Sequence, residues 1–443
     1  MNKGIKTLWG ISEVGFFMMS SMETMFLVFF LTNVALLPLP IVGAITGFSA
    51  LADAVSAIVA GIVIDKVTFK NGKYRPWLLI CPPFVSFFFV FCFTKIGGDV
   101  TAGIIIGIGY ILSHFIWNIC WTANRNMIQV ISRDPQDRAW LSSRIGVGSN
   151  IGKIMNSLVV PLMTSAMLGV MSGVTAYTVM AIVFVCIFMI CYFIHYRITK
   201  GYDTTESTGK AITFKQIGKS LVTNGQLVAF FLHDAIRQIA FIGIGSLTSY
   251  YCVVVLGDQK KATPLLVMFY IGAVIGGFLA PSVVKKIGTK KTNLLGVIGW
   301  GVCQALVLVV PDNVIIIGAL LLIGQIFFGM SYGLTVGMYA ACGSYGEWKN
   351  GESPNGLIMA FCSLGVKVAV ALRGVAITAF LGLIKYDPLA AITPETQSHI
   401  KSMYGFFPVI FIIVSLVPYI FYKLDDKRLR EMEAEIAARK TQE

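Results

Sequence analysis

Residues 174–196, VTAYTVMAIVFVCIFMICYFIHY, form an apolar run without aspartate, glutamate, lysine or arginine. A helix of this length is about 35 Å long, which is enough to cross the roughly 30 Å hydrocarbon core of a bilayer. Similar runs lie on both sides of it, at 7–35, 40–64, 76–95, 101–127, 143–168, 225–255, 264–284, 293–311, 313–342, 356–384 and 402–422. Because these runs are continuously apolar and do not alternate over short strands, they predict an all-α membrane protein with twelve transmembrane helices, not a β-barrel.

The composition of the whole chain agrees with a membrane protein. Of its 443 residues, 56% are hydrophobic and 13% are charged, and the mean hydropathy is +0.77. Soluble domains carry about a quarter charged residues, so a soluble fold is excluded. The nine cysteines stand singly in apolar runs, with no CxxC pair and no histidine cluster beside them. They indicate neither a disulfide framework nor a metal site, and no cofactor is expected.

The distribution of basic residues predicts the orientation. With a cytoplasmic N-terminus, 25 lysines and arginines fall in inner segments and 5 in outer loops. Positively charged loops remain on the cytoplasmic side, so we expect a multi-pass protein of the plasma or bacterial inner membrane with both termini in the cytoplasm. This bias also explains the net charge of +13 without a nucleic-acid partner, and membrane lipids are the expected surroundings.

A polar stretch near the middle of the chain separates six predicted spans from the other six. The predicted domains are an N-terminal bundle at 1–196, a cytoplasmic linker at 197–224, a C-terminal bundle at 225–422 and a cytoplasmic tail at 423–443. The tail is expected to form a short solvated helix. The basic loop at 65–75 is echoed by another at 285–291, an offset close to half the chain. This spacing indicates duplication of a six-helix unit, which is common in transporters.

Nine charged residues fall inside the predicted spans. They are Arg125, Lys153, Arg237, Lys367 and Arg373, together with Glu13, Glu23, Asp53 and Asp234. A charge at the centre of a helix costs about 2.5–3.5 kcal/mol on insertion scales, so such residues usually face a polar cavity or one another. The pattern therefore favours a polar cavity within the membrane.

Each of these charges also has a structural interpretation. Glu13 is close enough to the start of its span to reach the cytoplasmic surface. Asp234 and Arg237 are three residues apart on one helical face and could neutralise each other. Arg373 could reach an interface. Arg125, Lys153 and Lys367 have no acid at helical spacing, and for them a functional role is favoured.

Aromatic and amide side chains accompany these charges on the fourth span. This group consists of Trp117, Trp121, Asn118, Asn124 and Arg125, and Tyr332 lies in the tenth span. Flat rings stack on the apolar face of a sugar, while asparagine and arginine provide directed hydrogen bonds. The alternative is that the tryptophans anchor the helix at the interface or pack in the core, and it is strong for Trp117.

Two motifs connect the sequence to a known family. Residues 71–77, NGKYRPW, follow the second span, and residues 344–349, SYGEWK, follow the tenth. With weaker matches at 31–33, 52–54 and 134–138, the sequence resembles the glycoside-pentoside-hexuronide:cation symporters of the major facilitator superfamily, the group of the melibiose, glucuronide and sulfoquinovose permeases. The resemblance covers most of the chain. It implies a twelve-helix, two-bundle transporter that opens a central site alternately to each side, driven in most relatives by Na⁺ or H⁺.

The sequence departs from that family at positions where relatives such as the melibiose permease bind cation and sugar. Their second span carries two acids one turn apart, of which Asp53 matches the first, whereas Ala57 stands at the second. Their sugar-binding acids in spans one and four fall on Phe17 and Trp121, while Lys367 matches the lysine of span eleven. Since Na⁺ requires several oxygen ligands, the incomplete pair favours H⁺ as the coupling ion over Na⁺.

These departures lead us to expect a permease for a small organic anion, an acidic glycoside or a sugar acid. A carboxylate or sulfonate suits the guanidinium fork, and the resemblance suggests that Arg125 and Lys367 hold it from opposite bundles. Trp121 and Tyr332 would stack on the substrate, and Asn118 and Asn124 would bind its hydroxyls. The predicted substrate-binding residues are Arg125, Lys367, Lys153, Arg237, Arg373, Trp121, Tyr332, Asn118 and Asn124.

Coupling and gating require further charged residues. Because a buried carboxylate can take up a proton, the candidates for coupling are Asp53, Asp234 and Glu23. Charges between the spans are expected to pair when the inner side is closed and to separate when it opens. These predicted gating residues are Asp65, Arg75, Asp134, Arg138, Glu347 and Lys349.

Several alternatives remain open. The protein could be a cation-coupled symporter or a uniporter of a neutral glycoside, or a transporter-like sensor or lipid transporter. A membrane enzyme is disfavoured, because the sequence contains no HExxH motif, no clustered histidines and no large soluble domain. We expect a monomer.

Overall fold

The computed structural model of this chain describes residues 3–69, 72–131, 135–167, 170–203, 222–350 and 355–442. Its regular structure is helical, and the β-pairing recorded within those residues is one isolated bridge between Phe69 and Gly72. The prediction of an all-α protein is therefore confirmed.

Within each half the helices follow one another with short connections. In the N-terminal half they are α1 (Lys3–Leu8), α2 (Ile11–Phe29), α3 (Leu39–Lys66), α4 (Trp77–Phe91), α5 (Asp99–Ile131), α6 (Pro135–Met167) and α7 (Gly173–Ile198). In the C-terminal half they are α8 (Gly225–Tyr250), α9 (Ala262–Ile287), α10 (Thr289–Leu306), α11 (Val314–Gly333), α12 (Thr335–Asn350), α13 (Asn355–Leu383), α14 (Pro394–Ile420) and α15 (Asp426–Gln442).

The hydropathy of these helices agrees with a membrane protein. Eight helical stretches among the described residues are long and apolar enough to cross a membrane by length and composition, and two shorter apolar helices are Leu39–Asp53 and Trp77–Phe91. The other two predicted spans fall on α6 and α10, which carry more polar residues. Each of the twelve predicted runs thus coincides with a helix, the tenth run being divided between α11 and α12.

The helices extend further than the apolar runs that predicted them, which corrects the placement of several gating charges. Asp65 lies in the last turn of α3, Arg138 in the first turn of α6, and Glu347 and Lys349 near the end of α12, so these four are helical and not loop residues. A helix needs hydrophobic residues only over the hydrocarbon core, and its polar ends continue beyond that core.

Backbone contacts divide the chain into two compact units. The first comprises Met1–Ala211, Gln259–Thr263 and Gly374–Ala391, and the second comprises the remaining segments, Ile212–Asp258, Pro264–Arg373 and Ile392–Glu443. Helix α13 is therefore shared, with its turns from Gly374 onward in the first unit. The predicted linker is shorter than expected at its start because α7 extends to Ile198, and its residues 204–221 lie outside the described part of the chain.

The first membrane helix of each half ends in the same unusual way. Helix α2 continues into a π-helix at Phe30–Val34, and α8 continues into another at Tyr251–Val255. The two π-helices start 221 residues apart. Because π-helices are rare and short, the same ending at corresponding positions supports the predicted six-helix duplication.

The backbone that follows each π-helix also repeats. The Leu37 amide donates to the Leu31 carbonyl at 2.9 Å, and the Asp258 amide donates to the Cys252 carbonyl at 3.0 Å. Each bond spans a residue with a positive φ in the intervening turn, which closes the helix end as a left-handed cap does.

The loop after the second membrane helix of each half is held by an aspartate from the end of that half. In the first unit, the Asp203 carboxylate accepts hydrogen bonds from the backbone amides of Tyr74 at 3.2 Å and Arg75 at 2.9 Å. In the second unit, the Asp426 carboxylate accepts one from the Thr289 amide at 2.9 Å. These bonds fix the two loops that the sequence analysis recognised as echoes of each other.

The C-terminal tail is helical, as predicted, but it is packed and not simply solvated. Met432 of α15 is fully buried in a cluster with residues of α8, α12 and α14. The Trp348 indole of α12 donates to Glu435 at 2.6 Å, and Arg439 donates to the Trp348 carbonyl at 2.8 Å. Because the tail is rich in charged residues, its sequence did not indicate this apolar contact.

Candidate transport site

A cluster of charged residues connects α2, α5 and α6 in the first unit. The Arg125 guanidinium on α5 lies 3.4 Å from a carboxylate oxygen of Glu13 on α2. The Glu13 side chain is fully buried, whereas 36% of the Arg125 side chain is exposed. Arg125 has no acid at helical spacing on α5, and its acidic partner comes from another helix. The alternative that Glu13 reaches the surface was wrong.

Asn124 and Lys153 complete this cluster. The Asn124 amide donates to Glu13 at 3.1 Å and to Ser12 at 3.2 Å. The Lys153 ammonium on α6 lies 4.8 Å from the centroid of the Phe17 ring, a cation–π distance, and its charge also acts on Glu13. With two cations and one carboxylate, the cluster carries a formal charge of about +1.

Glycines allow α2 and α6 to approach closely enough to build the cluster. A methyl group added at Gly152 would meet the Val14 carbonyl oxygen and lie 3.0 Å from the Met18 amide nitrogen, and one at Gly148 would meet the carbonyl of Gly10. Small residues at helix contacts let membrane helices pack backbone to backbone. The neighbouring Lys153 is thereby held against Phe17.

The two tryptophans of α5 have different surroundings. The Arg125 guanidinium lies 4.5 Å from the Trp121 ring centroid, so Trp121 stacks on the arginine and joins the charged cluster. Trp117 is 9% exposed and contacts the rings of Phe16 and His114 at 5.0 and 3.8 Å. Trp117 is therefore packed in the core, which was the alternative given for it from the sequence.

The predicted coupling residue Asp53 lies in a buried polar cluster between α3 and α5. The Asn118 amide donates to Asp53 at 2.6 Å, and it is also 2.8 Å from the Ser56 hydroxyl and from the His114 carbonyl. Asn118 is 4% exposed. Its role as a ligand for substrate hydroxyls stays a prediction, and in this structure its amide is engaged by Asp53.

The role of Asn124 also stays a prediction, and its side chain is fully buried and donates to Ser12 and Glu13. Asn118 and Asn124 are six residues apart on α5, so they point to different sides of the helix, and the sequence does not show which polar groups the neighbouring helices place opposite each. Amides on a buried helix face usually bond to other buried polar groups.

The predicted coupling residue Glu23 has aromatic partners. The Tyr110 hydroxyl donates to one Glu23 oxygen at 3.1 Å, and the His114 ring nitrogen lies 3.7 Å from the other. The Tyr110 and His114 rings are stacked at 3.8 Å. The sequence analysis did not single out His114, although its position four residues before Asn118 on α5 would have placed it on the same helix face.

Asp234 and Arg237 of α8 form an ion pair within the second unit. Their closest atoms are 2.5 Å apart, and both side chains are fully buried. Arg237 also donates to the hydroxyls of Ser331 and Thr335, and the Tyr339 hydroxyl donates to Asp234 at 3.2 Å. Mutual neutralisation was the alternative considered from the sequence. The role of Arg237 as an anion ligand stays a prediction, and in this structure its guanidinium is engaged by Asp234 and the two hydroxyls.

The remaining predicted substrate residues differ in exposure. Arg373 is 2% exposed and donates to the Ser246 hydroxyl at 3.1 Å, so the alternative that it reaches an interface was wrong. Lys367 on α13 is half-buried, and its proposed role is untested. Tyr332 is 46% exposed and stacks on Phe328 at 5.5 Å, which leaves part of its surface available.

Two predicted gating residues contact backbone carbonyls. The Arg75 guanidinium donates to the Tyr196 carbonyl at 3.1 Å and stacks on the Tyr196 ring at 3.7 Å. The Lys349 ammonium donates to the Thr223 carbonyl at 3.2 Å. Glu347 is half-buried. Asp134 and the side chains of Asp65 and Arg138 lie outside the described part of the chain, and the gating role of all six residues stays a prediction.

The described residues contain no group of three or more histidine, cysteine, aspartate or glutamate side chains that could hold a metal ion. All nine cysteines are free. The groups that the structure brings together at the candidate site make ion pairs, amide hydrogen bonds and aromatic contacts.

Several described proteins are similar to this chain over nearly its whole length. The chain is 26% identical to an isoprimeverose transporter of Lactiplantibacillus pentosus, covering 93% of this chain and 88% of the relative. It is 26% identical to a glucuronide carrier protein homologue of Escherichia coli, covering 95% and 92%. It is 24% identical to a putative sulfoquinovose importer of Escherichia coli, covering 100% and 95%.

Solved structures show the same fold at lower sequence identity. The nucleoside transporter NupG superposes with a TM-score of 0.67 at 14% identity, covering 94% of this chain and 99% of NupG. A bacterial homologue of the human lysosomal transporter Spinster also gives a TM-score of 0.67 at 14% identity, covering 95% and 96%.

The resemblance deduced from the two motifs is confirmed. Relatives and structural neighbours are membrane transporters, so the expectation that this protein is not an enzyme is confirmed as well. It is a multi-pass transporter of the sugar and glycoside symporter type, which binds small-molecule substrates. A family model described as MFS/sugar transport protein matches residues 8–426, and the chain therefore belongs to that family.

Proposed function

We propose that this transporter carries a small organic anion, an acidic glycoside or a sugar acid, across the plasma or bacterial inner membrane. The observation that carries the proposal is the charged cluster of Glu13, Arg125 and Lys153, with its two cations and one acid. Its excess positive charge would be compensated by an anionic solute.

Arg125 is the residue of this cluster best suited to bind the anion. It is partly exposed and lies over Trp121, so a solute that reaches the guanidinium also meets an aromatic ring. Guanidinium groups bind carboxylates and sulfonates through paired hydrogen bonds, and an aromatic face binds the apolar face of a sugar. One arginine beside one tryptophan thus provides both contacts that an acidic glycoside needs.

Substitutions relative to the family pattern support the same charge preference. The positions of the expected sugar-binding acids hold Phe17 and Trp121, and these two rings lie against Lys153 and Arg125. Two negative charges are thereby replaced by uncharged surfaces beside two cations. An anion would be repelled less, and a neutral sugar would lose two hydrogen-bond acceptors for its hydroxyls.

Two of the relatives are named for sugar acids, glucuronide and sulfoquinovose. A carboxylate or a sulfonate on a sugar ring is the chemical class that the cluster would accept. Movement follows from alternating access of a monomer, with both termini in the cytoplasm and H⁺ as the coupling ion.

Uptake into proteoliposomes tests this proposal with matched solutes. We expect accumulation of glucuronate or sulfoquinovose and little accumulation of glucose, since the pairs differ mainly in the acidic group. Arg125→Ala should reduce uptake of the acidic solute by about 10–100-fold, the loss expected for a charge-assisted hydrogen bond of about 1.5–3 kcal/mol. Lys367→Ala tests the second predicted anion ligand in the same assay.

Lys427→Ala is a suitable control, because this lysine is an exposed cation on the tail helix. It should transport as the unmodified protein does. Uptake of glucose alone, unaffected by Arg125→Ala, would replace the proposal with a neutral-glycoside symporter or uniporter. Binding without accumulation would indicate a sensor or a lipid transporter.

A further inference from the structure

We propose that Glu13 is the residue that carries the coupled proton, and that Glu13 and the substrate's acidic group take turns as the partner of Arg125. This inference rests on the proposed anion transport. It assigns to Glu13 a function that neither the family resemblance nor the intramembrane charge pattern indicated.

The geometry of the ion pair permits such an exchange. The Arg125 guanidinium contacts Glu13 at 3.4 Å, which is longer than the 2.7–2.9 Å usual for a strong charge-assisted hydrogen bond. Its Nε atom is buried and has no hydrogen-bond partner among the described residues. Arg125 thus retains donor capacity, and an incoming carboxylate with two oxygens can satisfy the guanidinium better than Glu13 does.

The difference in exposure between Glu13 and Arg125 determines which member of the ion pair a solute can reach. Glu13 is fully buried, while Arg125 has 36% of its side chain exposed. A solute can therefore approach the guanidinium, but water cannot solvate the carboxylate once its cation is withdrawn. When the substrate engages Arg125, Lys153 is the cation that still faces Glu13, and the burial of the carboxylate then favours its protonated form.

The groups facing Glu13 come from three helices. They are Asn124, Arg125 and Cys120 of α5, Lys153 of α6 and Tyr192 of α7, with Ser12 beside it on α2. Arg125 and Lys153 are the cations of this set, and Lys153 lies against the Phe17 ring. Asn124 already donates to Glu13, and it can continue to do so after protonation, because a carboxylic acid retains acceptor capacity.

The proton balance is simple. Before the exchange the carboxylate is ionised and paired with Arg125. During the exchange, the anionic group of the substrate takes its place on the guanidinium, and one proton from solution binds a Glu13 oxygen. Release reverses both events, so one proton and one negative charge cross together.

A fully buried acid–arginine pair on α8 lacks these features. Asp234 and Arg237 form this pair, and both of its side chains are fully buried. Arg237 is further engaged by the hydroxyls of Ser331 and Thr335. A solute cannot reach that guanidinium without opening the packing, which makes Glu13 and Arg125 the pair suited to exchange.

Proton uptake on binding is the decisive measurement. Purified protein is titrated with glucuronate and with sulfoquinovose in weakly buffered detergent solution containing a pH indicator. The unmodified protein should take up about one proton per bound anion, and the affinity should fall by up to about tenfold per pH unit as the pH rises, since the bound state holds the extra proton.

Glu13→Gln should abolish both effects. The amide cannot take up a proton and competes more weakly for Arg125, so the acidic solute should bind at least as tightly as to the unmodified protein, with no pH dependence. Glu433→Gln, at an exposed glutamate of the tail helix, is the matched control and should keep both the proton uptake and the pH dependence. Asp53→Asn tests the competing candidate for the coupled proton. A merely structural role of Glu13 would lower affinity at every pH and leave the pH dependence unchanged.

The outcomes separate the two proposals. Binding of an acidic solute with proton uptake unaltered in Glu13→Gln would overturn the inference and leave the anion transporter standing. Loss of the proton uptake in Asp53→Asn alone would move the proton to Asp53. If the unmodified protein binds glucose and neither acidic solute, the proposed function fails, and this inference fails with it.

Discussion

Arg125 and Arg237 are both intramembrane arginines beside an acidic residue, but their guanidinium groups differ in how fully they are buried and bonded to protein partners. The Arg237 ion pair is fully buried and reinforced by hydroxyls, whereas Arg125 keeps part of its side chain exposed and contacts Glu13 at a longer distance. The first arrangement stabilises one conformation. The second leaves a cation that a solute can compete for.

The buried pair makes a prediction about stability. Arg237→Met should lower the free energy of unfolding by about 3–5 kcal/mol, because it leaves Asp234 charged and unpaired by its arginine in a buried site. The double variant Asp234→Leu with Arg237→Met should recover much of the loss, since both charges are removed together. Thermal unfolding in detergent ranks the stabilities of the unmodified protein, the single variant and the double variant. A double variant that is less stable than Arg237→Met would contradict this account.

These two pairs also show what could be predicted at the residue scale. Asp234 and Arg237 are three residues apart, so helical periodicity suggested their contact. Glu13 and Arg125 are 112 residues apart and meet because α2 and α5 are neighbours, which a single sequence does not reveal. The same limit concealed the partners of Asn118 and Asn124. Charged positions could therefore be found from the sequence, but their pairing across helices could not.

At the element scale, the contact between α2 and α6 determines where Lys153 and Glu13 lie. Gly148 and Gly152 stand one helical turn apart on α6, and both face the backbone of α2. The chain contains 44 glycines, an abundance that agrees with close helix packing in general. Which glycines are used, and against which helix, depends on tertiary packing.

Gly152→Ala tests this contact. The added methyl group would overlap the Val14 carbonyl, so we expect a loss of about 1–3 kcal/mol in stability and a weaker binding of the acidic solute, since Lys153 is adjacent. Gly146→Ala is the matched control on the same helix, because nothing lies within 4 Å of its added methyl group. It should be neutral or slightly stabilising, as alanine favours helix. Equal unfolding temperatures for the two variants would argue against the packing role of Gly152.

At the scale of the whole molecule, the sequence predicted an internal duplication from two basic loops, and the structure adds backbone detail to it. The π-helices at Phe30–Val34 and Tyr251–Val255 end the first membrane helix of each half. The loops that follow the second helices are each tied by an aspartate. Little residue identity survives between the halves, because these features depend on backbone hydrogen bonding, which many sequences satisfy.

The paired aspartates give a prediction that concerns both halves equally. Asp203→Ala removes the acceptor for the amides of Tyr74 and Arg75, and Asp426→Ala removes the acceptor for the Thr289 amide. Each lost hydrogen bond to a charged group costs about 1.5–3 kcal/mol, so the affected amides should exchange with deuterium about 10–100-fold faster. Each substitution should act on the loop of its own half.

Hydrogen–deuterium exchange followed by mass spectrometry resolves the two loops, with peptides covering residues 72–77 and 288–291. Glu433→Ala, an exposed substitution on the tail helix, should change neither. The halves are predicted to respond alike because each closes its second loop with a carboxylate that follows its last membrane helix. Faster exchange in one loop only would contradict this prediction. It would mean that the two aspartates, although placed alike, stabilise their loops to different extents, and that the halves have diverged in how they hold these loops.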